Sequence, residues 1–439
     1  SESYFQRFDL DVFRPSPQTS LNVSSPAGSV NYIFGRDFLT TTTRETTITA
    51  PPVFIGFPDA YLAPEEEADL TNRIVVAFEG AKDGALDSAE ARPRTSYRRF
   101  ANAAAIILLT NEPINNHLES LANTIEKGTM SLAGSPRRQR GAPFVIAGQK
   151  AAAHILSQLP MSVAELRALA SRDSTYGPVP LDKASLVLDF KAIHEHKSSE
   201  NVAGLLEGSD PKLKDQFIVL TAHYDHVGVH PATGDIYNGA DDDASGTSVI
   251  LELAEAFVTN TARPKRSVVF MTVAGEEKGL LGSAYYTQHP VFPLDKTIAN
   301  INIDMVGRTD QKHAKAGSPP YVYVIGSDKI STELDSILNV SNRQTVRLAL
   351  DYEYNNENDP NQFYRRSDHY NFARKGIPVV FFFTGVHEDY HRPTDTVEKI
   401  EFDRMATIGL LVYATAWNAS NFSRMLRKNG THSAFTTGR

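Results

Sequence analysis

The chain reads as an α/β protein: a three-layer sandwich around a mostly parallel, mixed central sheet, with a smaller β-rich accessory domain. Three observations predict this. Compact apolar runs of strand length recur at Phe217–Ala222, Ser267–Val273, Ile298–Ile303, Tyr321–Ile325 and Ile377–Phe383, as buried strands do. Helical segments lie between them, and strands alternating with helices close into a sheet with helices on its faces. Ahead of them the texture is different, with short apolar strands separated by long polar loops.

At 439 residues two domains are expected. Residues 1–50 are rich in Ser, Thr, Pro and Asn. Within them Tyr4–Val12 alternates as a strand, with Phe8, Leu10 and Val12 on one face, and Thr40–Thr49 reads as a connector. Residues 51–165 form the accessory domain. Val53–Phe57, Ile74–Phe78, Ala105–Leu109 and Phe144–Ala147 are its strands, Gln149–Leu159 a helix and Lys82–Tyr97 a charged loop. No acid–base cluster occurs there. Arg167–Lys183, with a glycine and two prolines, reads as the return linker. Residues 180–425 form the main domain and 426–439 a polar tail. In the main domain, Ser245–Thr259 puts Val249, Ile250, Leu253, Ala254 and Phe257 on one helical face. Phe402–Trp417 does the same with Met405, Ile408, Leu411 and Val412. No repeat at solenoid or propeller period is found.

Hydrophobic content of 41% and charged content of 22% are those of a soluble globular chain. A net charge of −8 leaves no basic footprint for nucleic acid. The absence of cysteine excludes disulfides and thiolate metal sites. No apolar run approaches the roughly 18 residues of a membrane span. The chain opens on Ser1 without a signal peptide, which reads as a processed or trimmed product. Asn22-Val-Ser24 and Asn418-Ala-Ser420 are glycosylation triplets of a kind that arises often by chance. Oligomeric state is left open.

Five segments carry the chemistry: Thr221-Ala-His-Tyr-Asp225, Asn238-Gly-Ala-Asp-Asp-Asp-Ala-Ser-Gly246, Ala274-Gly-Glu-Glu277, Asn302-Ile-Asp304 and Asp389-Tyr-His-Arg-Pro-Thr-Asp395. In open α/β sheets the ligand crevice lies beyond the carboxyl ends of the strands, and four of the five segments follow a strand. The Asp241–Asp243 run instead precedes a helix and faces its positive end. Taken singly, each has a plainer reading: a satisfied histidine, a helix cap at the Asp run, solvated glutamates. Asp304 in an apolar run is harder to dismiss, because a buried carboxylate needs a partner. Jointly they supply imidazoles and carboxylates, without sulfur, for two divalent ions, and so for hydrolysis at a two-metal centre. His226 and His230 are read as loop residues. Ser367-Asp368-His369 are too close in sequence for triad geometry and are read as a rim of the substrate pocket. Arg365 and Arg366 either meet a substrate carboxylate or are solvated. Gly326-Ser-Asp is a strand-end turn.

At these segments, from Leu186 to Asn418, the chain resembles the zinc-dependent exopeptidases that include bacterial leucyl aminopeptidases, glutamate carboxypeptidase II and the catalytically silent transferrin receptor. The resemblance implies two zinc ions, His223 on one and His391 on the other. Asp242 would bridge them, and Glu277 and Asp304 would each complete one set. It implies Glu276 as general base, Tyr390 as oxyanion donor, and Asp225 accepting the free ring N–H of His223. It also implies a non-proline cis peptide at Asp242–Asp243. Residues 51–159 resemble the protease-associated domain inserted in many relatives, which makes Tyr4–Val12 an edge strand of the main sheet. An aminopeptidase acting on peptides is expected, outside the cytoplasm, either secreted or periplasmic. A carboxypeptidase or dipeptidase, a non-catalytic receptor-like domain and a one-zinc glutaminyl cyclase share the fold and stand as alternatives.

Overall fold

A computed structural model describes residues 3–58, 66, 69–80, 99–136, 141–172, 176, 178–231, 233–315 and 319–430. Two compact units divide the chain: Ser1–Leu10, Ser131–Ala133 and Lys197–Arg439 in one, Asp11–Met130 and Gly134–His196 in the other. Among the described residues no helix is long and apolar enough to cross a membrane.

The largest sheet has nine strands. They are β1 (Phe5–Pro15), β2 (Thr129–Leu132), β3 (Ala192–Leu206), β4 (Phe217–His223), β5 (Ser267–Val273), β6 (Thr297–Ile303), β7 (Tyr321–Ile325), β8 (Ala349–Asp351) and β9 (Val379–Phe383). Their order is β8-β7-β9-β6-β4-β5-β3-β1-β2. The heart is parallel. β4 pairs β5 from Phe217↔Ser267 to His223↔Val273, and it pairs β6 on its other side. β6 pairs β9 in parallel, while β3 and β7 join β5 and β9 antiparallel.

The helices are α1 (Ala244–Thr259), α2 (Leu281–Gln288), α3 (Thr332–Gln344), α4 (His369–Ala373) and α5 (Phe402–Asn421). Period-2 alternation along β4 decides which of them meets which face. Ile218, Leu220 and Ala222 pack with Leu253 and Phe257 of α1, Leu338 of α3 and Leu411 of α5. Phe217 and Val219 pack with Tyr286 of α2 and Phe372 of α4. Burying both faces of β4 makes the three layers, and it explains why the strand is a continuous apolar run.

The second unit holds a six-stranded sheet in the order Val179–Pro180, Pro52–Phe54, Ile74–Phe78, Ala105–Leu109, Phe144–Ala147, Phe38–Leu39. A four-stranded sheet runs Gly28–Ile33, Ser20–Ser25, Ser185–Phe190, Thr46–Thr49. Phe54, Val76, Ile107 and Val145 pack with Ala151, Ile155 and Leu166 in one core.

Three expectations need correction. The edge strand read at Tyr4–Val12 is not at the edge, since β1 lies between β3 and β2. The linker read from Arg167 begins inside a helix, Val163–Arg172. Ser162 and Glu165 form a reciprocal capping box at its start: the Ser162 amide donates to Glu165 Oε2 (2.8 Å) and the Glu165 amide to Ser162 Oγ (3.3 Å). The S-x-x-E signal was in the sequence and outweighs the glycine and prolines that follow. Ser185–Phe190 and β3 are strands that the apolar-run criterion does not find, because half of each faces outward and is polar. The expected Lys82–Tyr97 loop lies outside the described residues.

Candidate metal centre

Four of the five segments emerge at one edge of the main sheet. His223 is the last residue of β4, Glu276 and Glu277 follow β5, Asp304 follows β6, and His391 follows β9 by eight residues. The fifth, Asp241–Asp243, leads into α1. Its three buried aspartates have three different surroundings. Asp243 caps α1, Oδ1 accepting from the Gly246 (2.9 Å) and Met305 (3.2 Å) amides and Oδ2 from the His223 amide (3.1 Å). Gly246 is required here, since a Cβ would collide with the Asp243 carboxylate and the Ile303 carbonyl. Asp241 accepts from the Gly307 amide (2.6 Å) and lies 3.2 Å from buried His387 Nε2. Asp242 faces two imidazoles of other segments, and the peptide joining it to Asp243 is cis.

The two oxygens of Asp242 face different imidazoles. Oδ1 is 3.2 Å from His223 Nε2, and Oδ2 is 3.1 Å from His391 Nε2. Asp304 Oδ1 lies 3.7 Å from the same His223 nitrogen, and Glu277 Oε1 lies 3.2 Å from the His391 nitrogen. All five residues expected as ligands therefore gather in two sets that share Asp242. Met305 and His391 adopt left-handed backbone (φ 54° at each). Non-glycine residues hold such geometry at a cost of about 1–3 kcal/mol, and it concentrates at functional sites.

Supporting side chains fix these groups. Asp304 Oδ2 accepts from Ser367 Oγ (2.7 Å), which accepts from Asn302 Nδ2 (2.7 Å). Asn302 Oδ1 accepts from Thr221 Oγ1 (2.6 Å), which accepts from Asn300 Nδ2 (2.9 Å). Asp395 holds the amides of Asp241 (3.1 Å) and Asp242 (3.3 Å).

The structure departs from the sequence reading at three places. His223 Nδ1–H donates to the Asp225 backbone carbonyl (2.9 Å), whereas the Asp225 carboxylate is 3.8 Å away. That carboxylate instead accepts from the amides of Glu276 (3.0 Å) and Glu277 (3.3 Å), so Asp225 orients the glutamate loop. His226, read as no more than a loop residue, does lie in a loop but is half-buried, with Nδ1 2.9 Å from Glu277 Oε1. Its spacing, three residues beyond a ligand histidine at a strand end, was the available signal. Ser367, Asp368 and His369 are not a pocket rim. All three are buried, Ser367 behind Asp304, and burial pushes the His369 imidazole down to about 3. His387 was missed altogether; its place four residues before His391 was the cue. Tyr390, Arg366 and Glu276 line the cleft together with Met305, Phe363, Phe381, Phe383 and Val386, and Arg365 does not.

Burial works against the charge of Asp242, yet the His223 and His391 imidazoles 3.2 and 3.1 Å away hold its carboxyl well below the usual range. Burial pushes the Glu276 carboxyl well above it; His223 opposes this, and the neighbouring Asp304, Asp368 and Glu277 carboxylates reinforce it. Burial lowers the His391 imidazole, but the Asp242 and Glu277 carboxylates 3.1 and 3.2 Å away outweigh that and raise it to about 9.

The donor set fits divalent cations. It consists of imidazoles and carboxylates only, the ligand chemistry of zinc and its neighbours. His223 Nε2 and Glu277 Oε1 are buried without a hydrogen-bond partner, a costly state that coordination would relieve.

Fold and site together define an α/β sandwich with a divalent-cation centre at its strand ends. Across residues 201–416 the chain matches the model of peptidase family M28. It is 29% identical over 231 residues to the aminopeptidase YwaD of Bacillus subtilis, covering 51% of this chain and 45% of that one. The chain spans about half the length of the curated relatives it matches. An aminopeptidase from Aneurinibacillus sp. strain AM-1 superposes with a TM-score of 0.54 at 19% identity, over 96% of this chain and 85% of that one. A zinc aminopeptidase from Bacillus subtilis gives 0.50 at 22% identity, over 96% and 88%. These two likenesses establish the fold.

Proposed function

We propose that the chain is a two-zinc aminopeptidase that releases N-terminal residues from peptides. The observation that carries this reading is the pair of Asp242 oxygens, each within 3.2 Å of a different imidazole. His223, Asp304 and Asp242 Oδ1 would hold one zinc. His391, Glu277 and Asp242 Oδ2 would hold the other. When bound, the zinc pair supplies an acidified water and a Lewis acid. Glu276 stands in the same cleft off both sets. Its carboxylate takes the proton of the attacking water and returns it to the leaving amine nitrogen. Tyr390 Oη donates to the oxygen that gains charge, with Arg366 Nη2 donating to that Oη at 3.3 Å. The walls of Phe363, Phe381, Phe383, Met305 and Val386 exclude water and accept an apolar side chain. We read the unit built mainly on Lys197–Arg439 as the catalytic domain and the unit of Asp11–Met130 and Gly134–His196, wider than the 51–165 expected, as a protease-associated-like accessory domain. Following the resemblance, we place the protein outside the cytoplasm.

The test is a panel of peptides with free and N-acetylated amino termini, analysed by mass spectrometry. Stepwise release of free amino acids from unblocked peptides alone is expected. Equal cleavage of blocked peptides would overturn the aminopeptidase reading.

A further inference from the structure

Beyond the central site, one other group of metal-capable side chains occurs among the described residues: Asp11, His194 and His196. All three fall in the second compact unit. His194 and His196 are two apart on β3, so strand alternation directs both imidazoles to one face. Glu195 between them is directed to the opposite face and pairs with Arg14. Asp11 sits on β1. Its Oδ1 is 2.8 Å from His194 Nε2 and 2.9 Å from His196 Nδ1. Its Oδ2 accepts from the Gly134 amide at 3.2 Å, which fixes the carboxylate plane. The Phe13 ring stacks on His194 with centroids 4.3 Å apart and planes 12° apart, which fixes that imidazole. The two imidazoles lie 4.4 Å apart.

Three donor atoms on two strands thus lie within 4.8 Å of one another. A single cation can take one nitrogen from each imidazole and one oxygen from the carboxylate. Zinc with bonds of about 2.0–2.1 Å sets tetrahedral donors about 3.3 Å apart. That spacing is reached from the observed 2.8 and 2.9 Å by small rotations of side chains at the surface. The His194 and His196 side chains are 42% and 75% exposed, so water can complete the coordination sphere.

We propose that Asp11, His194 and His196 form an accessory surface site for a borderline divalent cation, Zn2+ or Cu2+. Two imidazoles and a carboxylate are the donors such ions prefer. The site does not depend on the reading of the Asp242 centre.

The full-length protein and its His194→Asn/His196→Asn variant are dialysed against buffered free Zn2+, and bound metal is counted by elemental analysis. The wild type is expected to retain one equivalent more than the variant, with equal hydrolytic rates. Equal metal content at saturation overturns the proposal. Asp11→Asn, made alone, guards against a double variant that fails to fold; loss of the same equivalent supports the site, and unchanged uptake overturns it. With Cu2+ in place of Zn2+, electron paramagnetic resonance should show coupling to two imidazole nitrogens in the wild type, and loss of that coupling in the double variant. Persistence in the variant assigns the signal elsewhere and contradicts the proposal. Asp242→Asn separates the two centres: it lowers metal at the central site and leaves the accessory equivalent in place.

Discussion

The chain carries two kinds of histidine–carboxylate cluster, and burial separates them. Around Asp242 the donors are more buried: His223 is 1% exposed and Asp242 3%, although the His391 side chain is 37% exposed. Around Asp11, water reaches both imidazoles. A buried carboxylate without a counter-charge is expensive, so the central cluster needs either protons or cations. In the metal-free chain the Glu276 carboxyl and the His391 imidazole are both raised, which favours their protonated forms. At the surface cluster hydrogen bonds and solvent suffice, and a cation is an option rather than a necessity. Removing a group from the buried cluster should therefore cost far more than removing one from the exposed cluster.

The sharpest way to break that comparison is Glu276→Gln. It removes the proton carrier and leaves the zinc ligands intact. We expect turnover to fall roughly 10²–10⁴-fold, the usual scale for a positioned acid–base group, with zinc content unchanged. Full turnover would remove Glu276 from the mechanism. A smaller effect belongs to Ser367→Ala, which deletes the 2.7 Å bond to Asp304. Partners of this kind are worth about 10–100-fold in metal affinity or activity, to be read by zinc-buffered activity titration.

Proton competition sharpens the comparison further. The His391 imidazole of the metal-free chain is raised to about 9, and it must lose its proton before it can bind zinc. Below that pH the affinity of the central site should fall as pH falls, by about tenfold per unit for this proton alone. Uptake by the apo-protein at several pH values measures it, and a flat profile would contradict the assignment of His391. The smallest expected effect involves neither cluster. Ser162→Ala breaks the capping box and should cost about 1 kcal/mol of stability, visible as a lower thermal midpoint.

Much of this was legible because burial writes itself into sequence. The strands of the main sheet are apolar on both faces, so Ser267–Val273 and Tyr321–Ile325 were read to the residue. The converging ligands followed from strand ends. β3 was hidden for the opposite reason, since His194 and His196 on one face, with Glu195 and Lys197 on the other, break the apolar run. Asp225 and His226 illustrate a second limit. Residue spacing brings a side chain to the neighbourhood, but whether a carboxylate meets a ring N–H or two backbone amides depends on tenths of an ångström set by the whole loop. Ser367 was misread because a polar Ser-Asp-His run looks like surface, whereas its hydroxyl closes a buried chain of hydrogen bonds running back to Asn300.

The central claim is that Asp242 joins two cation sets, and metal content of the purified protein tests it most directly. Elemental analysis of the wild type beside Asp242→Asn and His223→Ala, each also held with excess zinc and then dialysed, should give two zinc ions per chain in the wild type. Occupancy should fall in both variants, with the larger loss in Asp242→Asn because both ions share it. A wild type that folds and holds no transition metal, or variants that keep the full complement, would contradict the account.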